Sequence, residues 1–484
     1  MQVVVVGAGM VGHRFAEELH RLDPSVRITL LGDEEYEPYN RILLTELLAG
    51  RVDLAGLTMP AHDDAVDVRL GQAALEIDRE RKVVITANDE VAYDHLVLAT
   101  GARARIIPVP GLRDGLPRGA HVLRSLNDAR DIKAAALNAR HAVVIGGGPL
   151  GLEAACGLRH RGVGVTVLSL EHTLLDRDLD ASVAAVVADA AADLGVTFVG
   201  DVSIESVAVR DGYVSGVHLV DGRAFEAHLV VLAAGAVPET SLASAAGLET
   251  AQGIVVGHDL RTTLDPCISA IGDCAQTPAG TSGLLAPGWA QARELARNLV
   301  DGTLIEPVAI TGSAMKLKAV GLDVVTMGRR ASTADSHDRV VNLHDASARR
   351  HVEVVVRDDT LIGVTCVGAP AIAAHLSTQF DRPGMIPADP LQLLLGTSAG
   401  AVTEAHNPTT MPSSTTVCRC NGVSKGDLVR EWENGCATVE ALAERTLATT
   451  GCGGCKSLVC GIVDWLTEVD PPVEQAQQPV PSSR

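Results

Sequence analysis

Short apolar runs that end at a glycine recur along roughly the first 300 residues of the chain. The first run contains four consecutive valines, Val3 to Val6, and leads into Gly7. A continuous apolar run of this kind, bounded by a turn signal, is typical of a buried strand. A helical pattern from Gly12 to about Leu22 and a second apolar run over residues 27–31 follow it. The pattern therefore predicts a strand–helix–strand unit at the start of the chain.

The same reasoning predicts elements further along. A buried strand is expected over residues 95–98, and a second strand–helix unit begins at residues 141–145 and continues with a strand over 163–168. Other strands are predicted over residues 66–70, 75–78, 83–85, 230–232, 268–271, 315–328, 352–356 and 361–367, and helices over 286–299 and 369–376. Strands that alternate with helices favour an α/β fold built on parallel sheets.

Gly7, Gly9 and Gly12 form a Gly-x-Gly-x-x-Gly turn between the first strand and its helix. Gly7 allows the tight turn, Gly9 lets the backbone approach a pyrophosphate, and Gly12 lets the helix pack closely on the strand. The amino end of the helix then offers unpaired N–H groups to phosphates. Glu34, 22 residues after Gly12, stands where an acid binds ribose hydroxyls. This arrangement predicts a dinucleotide site, the alternative being a purely structural turn.

Gly146, Gly148 and Gly151 repeat this turn 139 residues further on (146 minus 7). The strand that follows ends at Ser169, and an acid, Glu171, comes two residues later. One flavin site and one nicotinamide site together explain the repeat. No arginine stands at the place of Ser169 to bind a 2′-phosphate, which favours NADH but leaves NADPH open.

The composition limits what the chain binds. With 484 residues it is too long for one core, so about three domains are expected. The formal net charge of −20 argues against nucleic acid or an anionic membrane as a partner. No basic leader precedes the first apolar run, and no run approaches the roughly 20 apolar residues that span a bilayer. These features predict a cytoplasmic protein.

Six of the ten cysteines lie near the carboxyl end of the chain. Cys418 and Cys420 form one close pair, Cys452 and Cys455 form another, and 31 residues separate the two pairs. Four thiolates suit either tetrahedral zinc or a [2Fe–2S] cluster by number alone. A Cys-x-Cys pair is less usual for zinc, and glycines beside the second pair leave room for N–H groups that point at sulfide. An iron–sulfur cluster is therefore predicted, with zinc and a bare thiol module as alternatives.

The first 300 or so residues resemble the pyridine-nucleotide:electron-carrier reductases, flavoproteins with two dinucleotide-binding domains. Four motifs carry the resemblance, at residues 7–12, 99–101, 146–153 and 271–273. The resemblance implies that FAD is held by Gly7, Gly9, Gly12, Glu34, Arg41, Ala74, Thr100, Gly101, Arg124, Asp273 and Trp289. It implies that the nicotinamide nucleotide binds at Gly146, Gly148, Leu150, Gly151, Glu171 and Gly235. Trp289 would lie near the flavin edge, with packing alone as the alternative.

Two features depart from the pattern of these reductases. Members that reduce disulfides carry a cysteine pair early in the flavin domain, but no cysteine precedes Cys156, which excludes a dithiol relay beside the flavin. In reductases of the ring-hydroxylase type, a lysine usually stands at the place of Glu46 and faces an acid at the place of Glu153. Here both members of this predicted catalytic pair are acids. Either one has a raised pKa or the two do not meet.

The cysteine module resembles bacterioferritin-associated-ferredoxin-like [2Fe–2S] domains. The order of parts is similar to the amino-terminal half of NAD(P)H nitrite reductase large subunits and to assimilatory nitrate reductase electron-transfer subunits. Because the chain ends at Arg484 without further cysteines for sirohaem, the electron-transfer subunits are expected to match better. The resemblance implies FAD, a [2Fe–2S] cluster and NADH or NADPH as cofactors. It also implies a molybdenum-containing nitrate reductase catalytic subunit, or another acceptor protein, as partner.

The expected fold class is α/β, with two Rossmann-like domains of the glutathione-reductase-like flavoprotein type, a third α+β domain and a small helical C-terminal [2Fe–2S] domain. The expected boundaries are 1–110 with 236–305 for the FAD domain, 111–235 for the NAD(P)H domain, 306–395 for the third domain, 396–416 for a linker, 417–468 for the cluster domain and 469–484 for a disordered tail. Family members use the third domain for dimer contact, which implies a homo-oligomer. Two alternatives to the nitrate role are a reductase of separate ferredoxins or rubredoxins and a redox sensor without turnover.

Overall fold

The computed structural model describes residues 1–62, 65–302, 314–380, 386–387, 389–395, 408–409, 411–418, 421–451 and 453–470. The chain folds into two compact units, Met1–Leu394 and Leu395–Arg484. Most of the predicted linker and all but two residues of the predicted tail lie outside the described residues. Within the described ranges, no helix is both long enough and apolar enough to cross a bilayer.

The amino-terminal elements build a parallel sheet and a smaller antiparallel one. They are β1 (Gln2–Val6), α1 (Met10–Leu22), β2 (Arg27–Leu31), α2 (Leu44–Ala49), β3 (Val66–Arg69), β4 (Ala74–Asp78), β5 (Val83–Thr86), β6 (Glu90–Ala92), β7 (His95–Leu98) and β8 (Ala102–Ala104). Strand β1 lies between β2 and β7, and β4 to β6 form the antiparallel sheet. Val3, Val4 and Val5 are fully buried because β1 is covered on both faces, which explains its unbroken apolar run.

The middle elements repeat this architecture. They are β9 (Ala120–Val122), α3 (Leu126–Ala136), β10 (His141–Ile145), α4 (Pro149–His160), β11 (Gly164–Leu168), α5 (Ala181–Asp193), β12 (Val196–Val199), β13 (Ile204–Arg210), β14 (Tyr213–Leu219), β15 (Ala224–Glu226), β16 (Leu229–Leu232) and β17 (Ala236–Pro238). The second parallel sheet has the order β12-β11-β10-β16-β9, and β13 to β15 form an antiparallel sheet. The apolar pattern alone did not indicate α3, which a Ser125–Asp128 capping box begins.

The chain then returns to the first sheet. The next elements are α6 (Ser241–Ala245), β18 (Ile254–Val255), β19 (Ile268–Ala270), β20 (Ala275–Gln276) and α7 (Leu285–Asp301). Strand β19 pairs with β7 in parallel and completes the order β19-β7-β1-β2-β3. The first parallel sheet is therefore assembled from two separate stretches of sequence with the second parallel sheet between them.

A third sheet follows in the same unit. Its elements are β21 (Ala314–Lys316), β22 (Val324–Gly328), β23 (Arg339–Asp345), β24 (Arg350–Arg357), β25 (Thr360–Val367), α8 (Pro370–Phe380) and α9 (Leu391–Leu395). The five strands are antiparallel in the order β21-β22-β25-β24-β23, and α8 packs on them through Ala373 and Leu376. The residues of β23 are mostly exposed, which hides this edge strand from a search for apolar runs.

The carboxyl-terminal unit is small and mainly helical. Its elements are β26 (Thr416–Cys418), β27 (Val423–Ser424), α10 (Lys425–Glu433), α11 (Val439–Thr446) and α12 (Lys456–Val469). Met411 is buried in its core, and the Lys425 ammonium donates a 2.8 Å hydrogen bond to the Met411 carbonyl while lying over the Trp465 ring. Residues 411–416 were expected to be linker, but these contacts make them part of the packed unit.

Two histidines in the first unit make its stability depend on pH. His13 and His62 stack with ring centroids 4.0 Å apart, and His13 also contacts the Pro60 carbonyl at 2.9 Å. Burial lowers the pKa of His13 to about 3 and that of His62 to about 4. An unfolded chain, with an ordinary histidine pKa of about 6.5, binds more protons below that pH. Stability is therefore complete above about pH 6.5 and falls as the pH drops towards about 4.

We expect each histidine to remove about 1.4 kcal/mol of unfolding free energy per pH unit in this window. Urea unfolding of wild type and of the double variant His13→Gln, His62→Gln between pH 7.5 and 4.5 measures the effect. The variant should lose less stability on acidification. Parallel curves for the two proteins would contradict this origin.

Candidate functional site

A cavity of about 620 Å³ opens at the carboxyl end of the first parallel sheet. Its wall combines the β1–α1 turn, the β7–β8 turn and the segment after β19. Eight residues predicted to hold FAD line it: Gly7, Gly9, Glu34, Arg41, Thr100, Gly101, Arg124 and Asp273. Pockets of this volume accept cofactor-sized ligands. The structure therefore brings most of the predicted flavin residues together around one space.

Ion pairs hold the polar side chains of this cavity. Glu34 is paired with Arg41 and accepts a 2.8 Å hydrogen bond from the Tyr39 hydroxyl. Arg124 donates to Asp273 at 2.6 Å and to the Ala102 carbonyl at 2.8 Å. Such charge-assisted bonds fix the directions of the side chains. The arginines and carboxylates are thus oriented in advance around the cavity.

The first glycine turn leaves space and donors for an anion. Gly7 adopts a φ of +113°, and a Cβ atom there would lie 2.2 Å from the Ala99 carbonyl oxygen. A Cβ on Gly12 would lie 2.0 Å from the Gly7 carbonyl oxygen, so the helix approaches the turn too closely for any side chain. Gly9 caps α1 with no side-chain hydrogen bond. The first N–H groups of α1 therefore remain available for a pyrophosphate.

The second glycine turn has the same geometry. Gly146 has a φ of +127° and would place a Cβ 2.3 Å from the Ala233 carbonyl oxygen, while a Cβ on Gly151 would lie 2.0 Å from that of Gly146. Gly148 caps α4 without a side-chain bond, and the exposed Leu150 follows it. Gly235 lies in the loop after β16, as Gly101 lies after β7. Each sheet thus carries one glycine turn of the kind that binds phosphate in dinucleotide-binding folds.

The acids that follow β2 and β11 stand at the same distance along the chain from the ends of these strands. Glu34 is the third residue after β2 ends at Leu31, and Glu171 is the third residue after β11 ends at Leu168. The Glu171 N–H donates to the Ser169 hydroxyl at 3.2 Å, which shapes this loop. Counted from the strand ends, Glu171 therefore stands where Glu34 stands in the first sheet.

Three residues predicted at the flavin do not line the cavity: Gly12, Ala74 and Trp289. Trp289 is fully buried, donates from its indole N–H to the Met10 carbonyl at 3.0 Å, and packs under the Arg14 guanidinium 4.7 Å away. It does not line the cavity, because it fills the space between α1 and α7. Ala74 begins β4 and is outside the lining as well. The contacts of Trp289 are those of the packing alternative, and Gly12 stays within the β1–α1 turn whose other glycines line the cavity.

The predicted acidic pair meets at the contact between α2 and α4. The buried Glu153 carboxylate accepts from the Thr45 hydroxyl at 2.7 Å, and Glu46 lies next to Thr45 and pairs with Arg51 at 3.1 Å. Burial raises the pKa of Glu46, and the Glu153 anion raises it further, while Arg51 opposes the shift. The sequence left two outcomes open, a raised pKa for one acid or two acids that do not meet. The structure supports the first, because the pKa of Glu46 is raised.

The cysteine module places two thiols from different pairs side by side. Cys418 is buried at the end of β26, and Cys455 precedes α12. A hydrogen bond from Cys455 lowers the pKa of the Cys418 thiol to about 6. Cys420 and Cys452 lie outside the described residues. A low thiol pKa favours the thiolate that metal ions and iron–sulfur clusters require.

Some residues around the sites were not found from the sequence. Tyr39, Asp128 and Glu239 line the cavity, and Lys318 contacts Glu153 at 3.2 Å from the third sheet. Tyr39 bridges two elements, since its hydroxyl also accepts from the Leu126 N–H at 2.8 Å. None of these positions belongs to a short motif, so only the tertiary contacts reveal them.

The profile of the pyridine nucleotide-disulphide oxidoreductases matches residues 1–306. The chain belongs to this family. Residues 416–465 match the BFD-like [2Fe–2S] binding domain. The oxidoreductase therefore uses NAD(P)H, FAD and a [2Fe–2S] cluster, as the two resemblances implied, and its α/β fold agrees with the one expected.

Three relatives illustrate the similarity. A nitrite reductase [NAD(P)H] of Bacillus subtilis (strain 168) is 32% identical over 95% of this chain and 57% of its own length. An assimilatory nitrate reductase electron transfer subunit of the same strain is 32% identical over 96% of this chain and 60% of its own length. The solved covalent putidaredoxin reductase–putidaredoxin complex has a TM-score of 0.71 at 27% identity, covering 83% of this chain and 97% of that one.

The chain thus spans somewhat more than half the length of both curated relatives. The two shares are nearly the same, so length does not separate a nitrite reductase from an electron-transfer subunit. The expectation that the end of the chain at Arg484 would decide between them is therefore not supported.

Asn421 connects the two halves of the cluster module. Its side-chain amide donates to the Cys418 sulfur at 3.6 Å, to the Thr450 hydroxyl at 3.3 Å and to the Leu447 carbonyl. The loop after the first cysteine pair is thereby bound to the turn before the second. Hydrogen bonds to cysteine sulfur raise the reduction potential of an iron–sulfur cluster, because they stabilise the more electron-rich state.

We expect Asn421→Ala to lower the midpoint potential of the cluster in the oxidoreductase. Thr450→Val removes the bonds of the Thr450 hydroxyl to Asn421 and to the Leu447 carbonyl but keeps the contact of Asn421 with sulfur, so as the control its potential should stay close to wild type. Potentiometric titration followed by electron paramagnetic resonance measures both. An unchanged potential in Asn421→Ala would show that the sulfur contact has no electronic effect.

Proposed function

We propose that the oxidoreductase passes electrons from NAD(P)H through FAD and its [2Fe–2S] cluster to the catalytic subunit of an assimilatory nitrate or nitrite reductase. The observation that carries the proposal is the order of parts, with two dinucleotide turns and a cysteine-pair module on one chain. NAD(P)H delivers two electrons at once, a flavin releases them singly, and a [2Fe–2S] cluster carries one at a time. The acceptor class comes from the names of the relatives.

The residues of the first cavity are proposed to bind FAD. Glu34 accepts from the ribose hydroxyls, the α1 amino end binds the pyrophosphate, and Asp273 holds the ribityl chain. The second turn binds the nicotinamide nucleotide, and Glu171 at its strand end favours a free ribose 2′-hydroxyl, which is the NADH form. Cys418, Cys420, Cys452 and Cys455 are the proposed cluster ligands, and Glu46 with Glu153 forms the charged pair at the hydride-transfer junction. We place this chemistry in the cytoplasm, where thiols remain reduced.

Anaerobic mixing with NADH and, separately, NADPH tests the first step. NADH should bleach the flavin absorbance rapidly and reduce the cluster more slowly. The reduced protein is then combined with a molybdenum-containing nitrate reductase catalytic subunit, and nitrite formation is measured with and without this partner. Nitrate reduction that needs both components supports the proposal, whereas a flavin that neither NADH nor NADPH bleaches would leave only a sensor role.

A second candidate function is a reductase for separate one-electron carriers. The observation that favours it is the similarity to a reductase that was solved together with putidaredoxin. Rapid reduction of an added ferredoxin or rubredoxin, without any nitrate reduction in the presence of the catalytic subunit, would support this alternative.

A further inference from the structure

The Glu153 carboxylate lies where three parts of the first unit meet. It is 6% exposed and projects from α4 of the second sheet. One oxygen accepts from the Thr45 hydroxyl on α2 at 2.7 Å. The other accepts from Lys318 twice, from its backbone N–H at 2.8 Å and from its ammonium at 3.2 Å. Lys318 follows β21 of the third sheet, so a distant part of the chain supplies the only cation that pairs directly with Glu153 among the described residues.

The charges around this carboxylate form one balanced group. Glu46 is 8% exposed and pairs with Arg51 at 3.1 Å. The pKa of Glu46 is raised first by burial and also by the Glu153 anion, while Arg51 and Lys318 act in the opposite direction. Two carboxylates thus face one guanidinium and one ammonium.

Helix α3 also packs on α2 and carries Asp128, Arg130, Asp131 and Lys133, of which Asp128 accepts hydrogen bonds from the Arg124 and Ser125 N–H groups. On α4 itself, burial and the Glu153 anion raise the pKa of the Cys156 thiol to about 12, so this thiol stays neutral. At the end of α4, Arg161 donates to the Leu48 carbonyl of α2 at 3.4 Å. Strands β11 and β12 contain no ionisable residue, and His141 at the start of β10 responds to His228 and Glu226 instead. Lys318 is therefore the cation that pairs with Glu153, as Arg51 is the cation that pairs with Glu46.

The group lies where the two dinucleotides have to meet. Arg41 and Ile42 line the flavin cavity, and Thr45 is the second residue of α2, the helix that follows them. Glu153 lies one turn into α4, the helix that begins at the second glycine turn. Hydride transfer requires the two rings in contact, at about 3–3.5 Å, so it takes place at the junction of the two domains. Loss of hydride makes a nicotinamide ring positively charged, and ionised carboxylates that face the ring would stabilise this charge.

We propose that Lys318, supplied by the third sheet, is a positioning residue for hydride transfer that keeps the Glu46–Glu153 pair fully ionised at this junction. The inference rests on the proposed function, because it assigns the pair to the step from NADH to FAD. Without the ammonium, two buried carboxyls share one guanidinium and retain a proton to higher pH. The pair then presents one negative charge fewer to the nicotinamide.

The central experiment compares Lys318→Met with wild type in stopped-flow reduction of the flavin by NADH between about pH 5.5 and 9.5. A neighbouring opposite charge shifts the pKa of a carboxyl by about one to three units. Removal of the Lys318 ammonium should therefore move the acidic limb of the pH–rate profile upward by that amount. At pH 7 we expect a loss of about tenfold or more in the reduction rate, which is regained near pH 9. The Lys318 backbone N–H and Thr45 still hold Glu153, so the variant isolates the charge.

Three matched variants separate charge from packing. Lys318→Arg keeps a cation and should restore the wild-type profile, while Lys318→Gln keeps a hydrogen bond without charge and should behave as Lys318→Met does. Lys316→Met removes an exposed lysine two residues earlier and should leave the profile unchanged. In a Glu153→Gln background, Lys318→Met should no longer move the limb, because the pair has already lost one carboxyl.

A second readout does not depend on turnover. Infrared difference spectra of the flavin-free protein at pH 7 should show one additional protonated carboxyl band in Lys318→Met and none in Lys316→Met. Identical pH profiles and identical infrared spectra for these two variants would overturn the inference. Wild-type flavin that neither NADH nor NADPH reduces would overturn the proposed function, while the infrared comparison would still test the role of Lys318.

Discussion

Gly148→Ala leaves FAD bound to the protein and abolishes flavin reduction by NADH, whereas Gly9→Ala removes FAD. The structure allows this contrast because both glycines have ordinary backbone angles. A Cβ on Gly148 meets nothing within 4 Å, and one on Gly9 meets only the Arg41 side chain at 3.8 Å. Neither substitution disturbs the unliganded fold, so a loss of function reports on the nucleotide that approaches that turn.

The expected effects are large. A methyl group at the turn separates the helix N–H groups from the pyrophosphate, and each lost bond to a charged group costs about 1.5–3 kcal/mol. Two such bonds weaken binding about 100-fold or more. The folded protein itself should gain about 0.4–1 kcal/mol, because alanine reduces the entropy of the unfolded chain.

Flavin content after gel filtration measures FAD binding, NADH titration measures NADH binding, and urea unfolding measures the stability of the fold. Gly12→Ala is the contrasting variant, since its Cβ would lie 2.0 Å from the Gly7 carbonyl oxygen and should destabilise the fold itself. Loss of FAD from Gly148→Ala, or full FAD content in Gly9→Ala, would reverse the assignment of the two nucleotide sites.

Cys418→Ser and Cys455→Ser should each remove the cluster while leaving the flavin and its reduction by NADH intact. The two thiols are neighbours in the folded module, and the serine hydroxyl is a poor substitute for a thiolate ligand. Electron transfer to the one-electron acceptor should therefore fall by about 100-fold or more, while the flavin bleaches at a rate within about twofold of wild type.

The matched control is Cys436→Ser, because Cys436 is only partly buried and packs at the edge of the same core. It should keep about two iron and two sulfide per chain. Iron and sulfide analysis, visible absorbance and acceptor reduction check the series. A full cluster in Cys418→Ser, or bound zinc in the wild-type protein in place of iron, would contradict the ligand assignment.

Much of the fold follows from the sequence because its signals are local. The valine run predicts β1, and the residues of β2 match the predicted 27–31 in full, since a buried parallel strand must be apolar on both faces. The sequence does not predict α3, α5 or β23. The reason for β23 is physical, because an exposed edge strand carries polar residues at most positions.

The candidate site likewise has features that local sequence signals predict and features that depend on tertiary packing. The glycine turns and the cysteine pairs were found from spacing, because phosphate and metal ligation require fixed residue types at fixed separations. The resemblance places Trp289 near the flavin edge, yet in the structure its ring packs between α1 and α7. The burial of a large apolar ring depends on tertiary packing, which a sequence motif does not contain. The partner of Glu153 was sought at Glu46 and instead comes from Lys318, 165 residues away in the chain.

The sequence by itself predicted the glycine turns for two nucleotides and the four cysteines for a cluster, since those requirements act over a few neighbouring residues. Only the tertiary structure decided which charges balance one another, because a buried carboxylate pairs with whichever cation the packing of distant segments brings within reach. It also decided that Cys418 meets Cys455, and that Met411 belongs to the cluster unit, since hydrophobic burial selects neighbours in space and not along the chain.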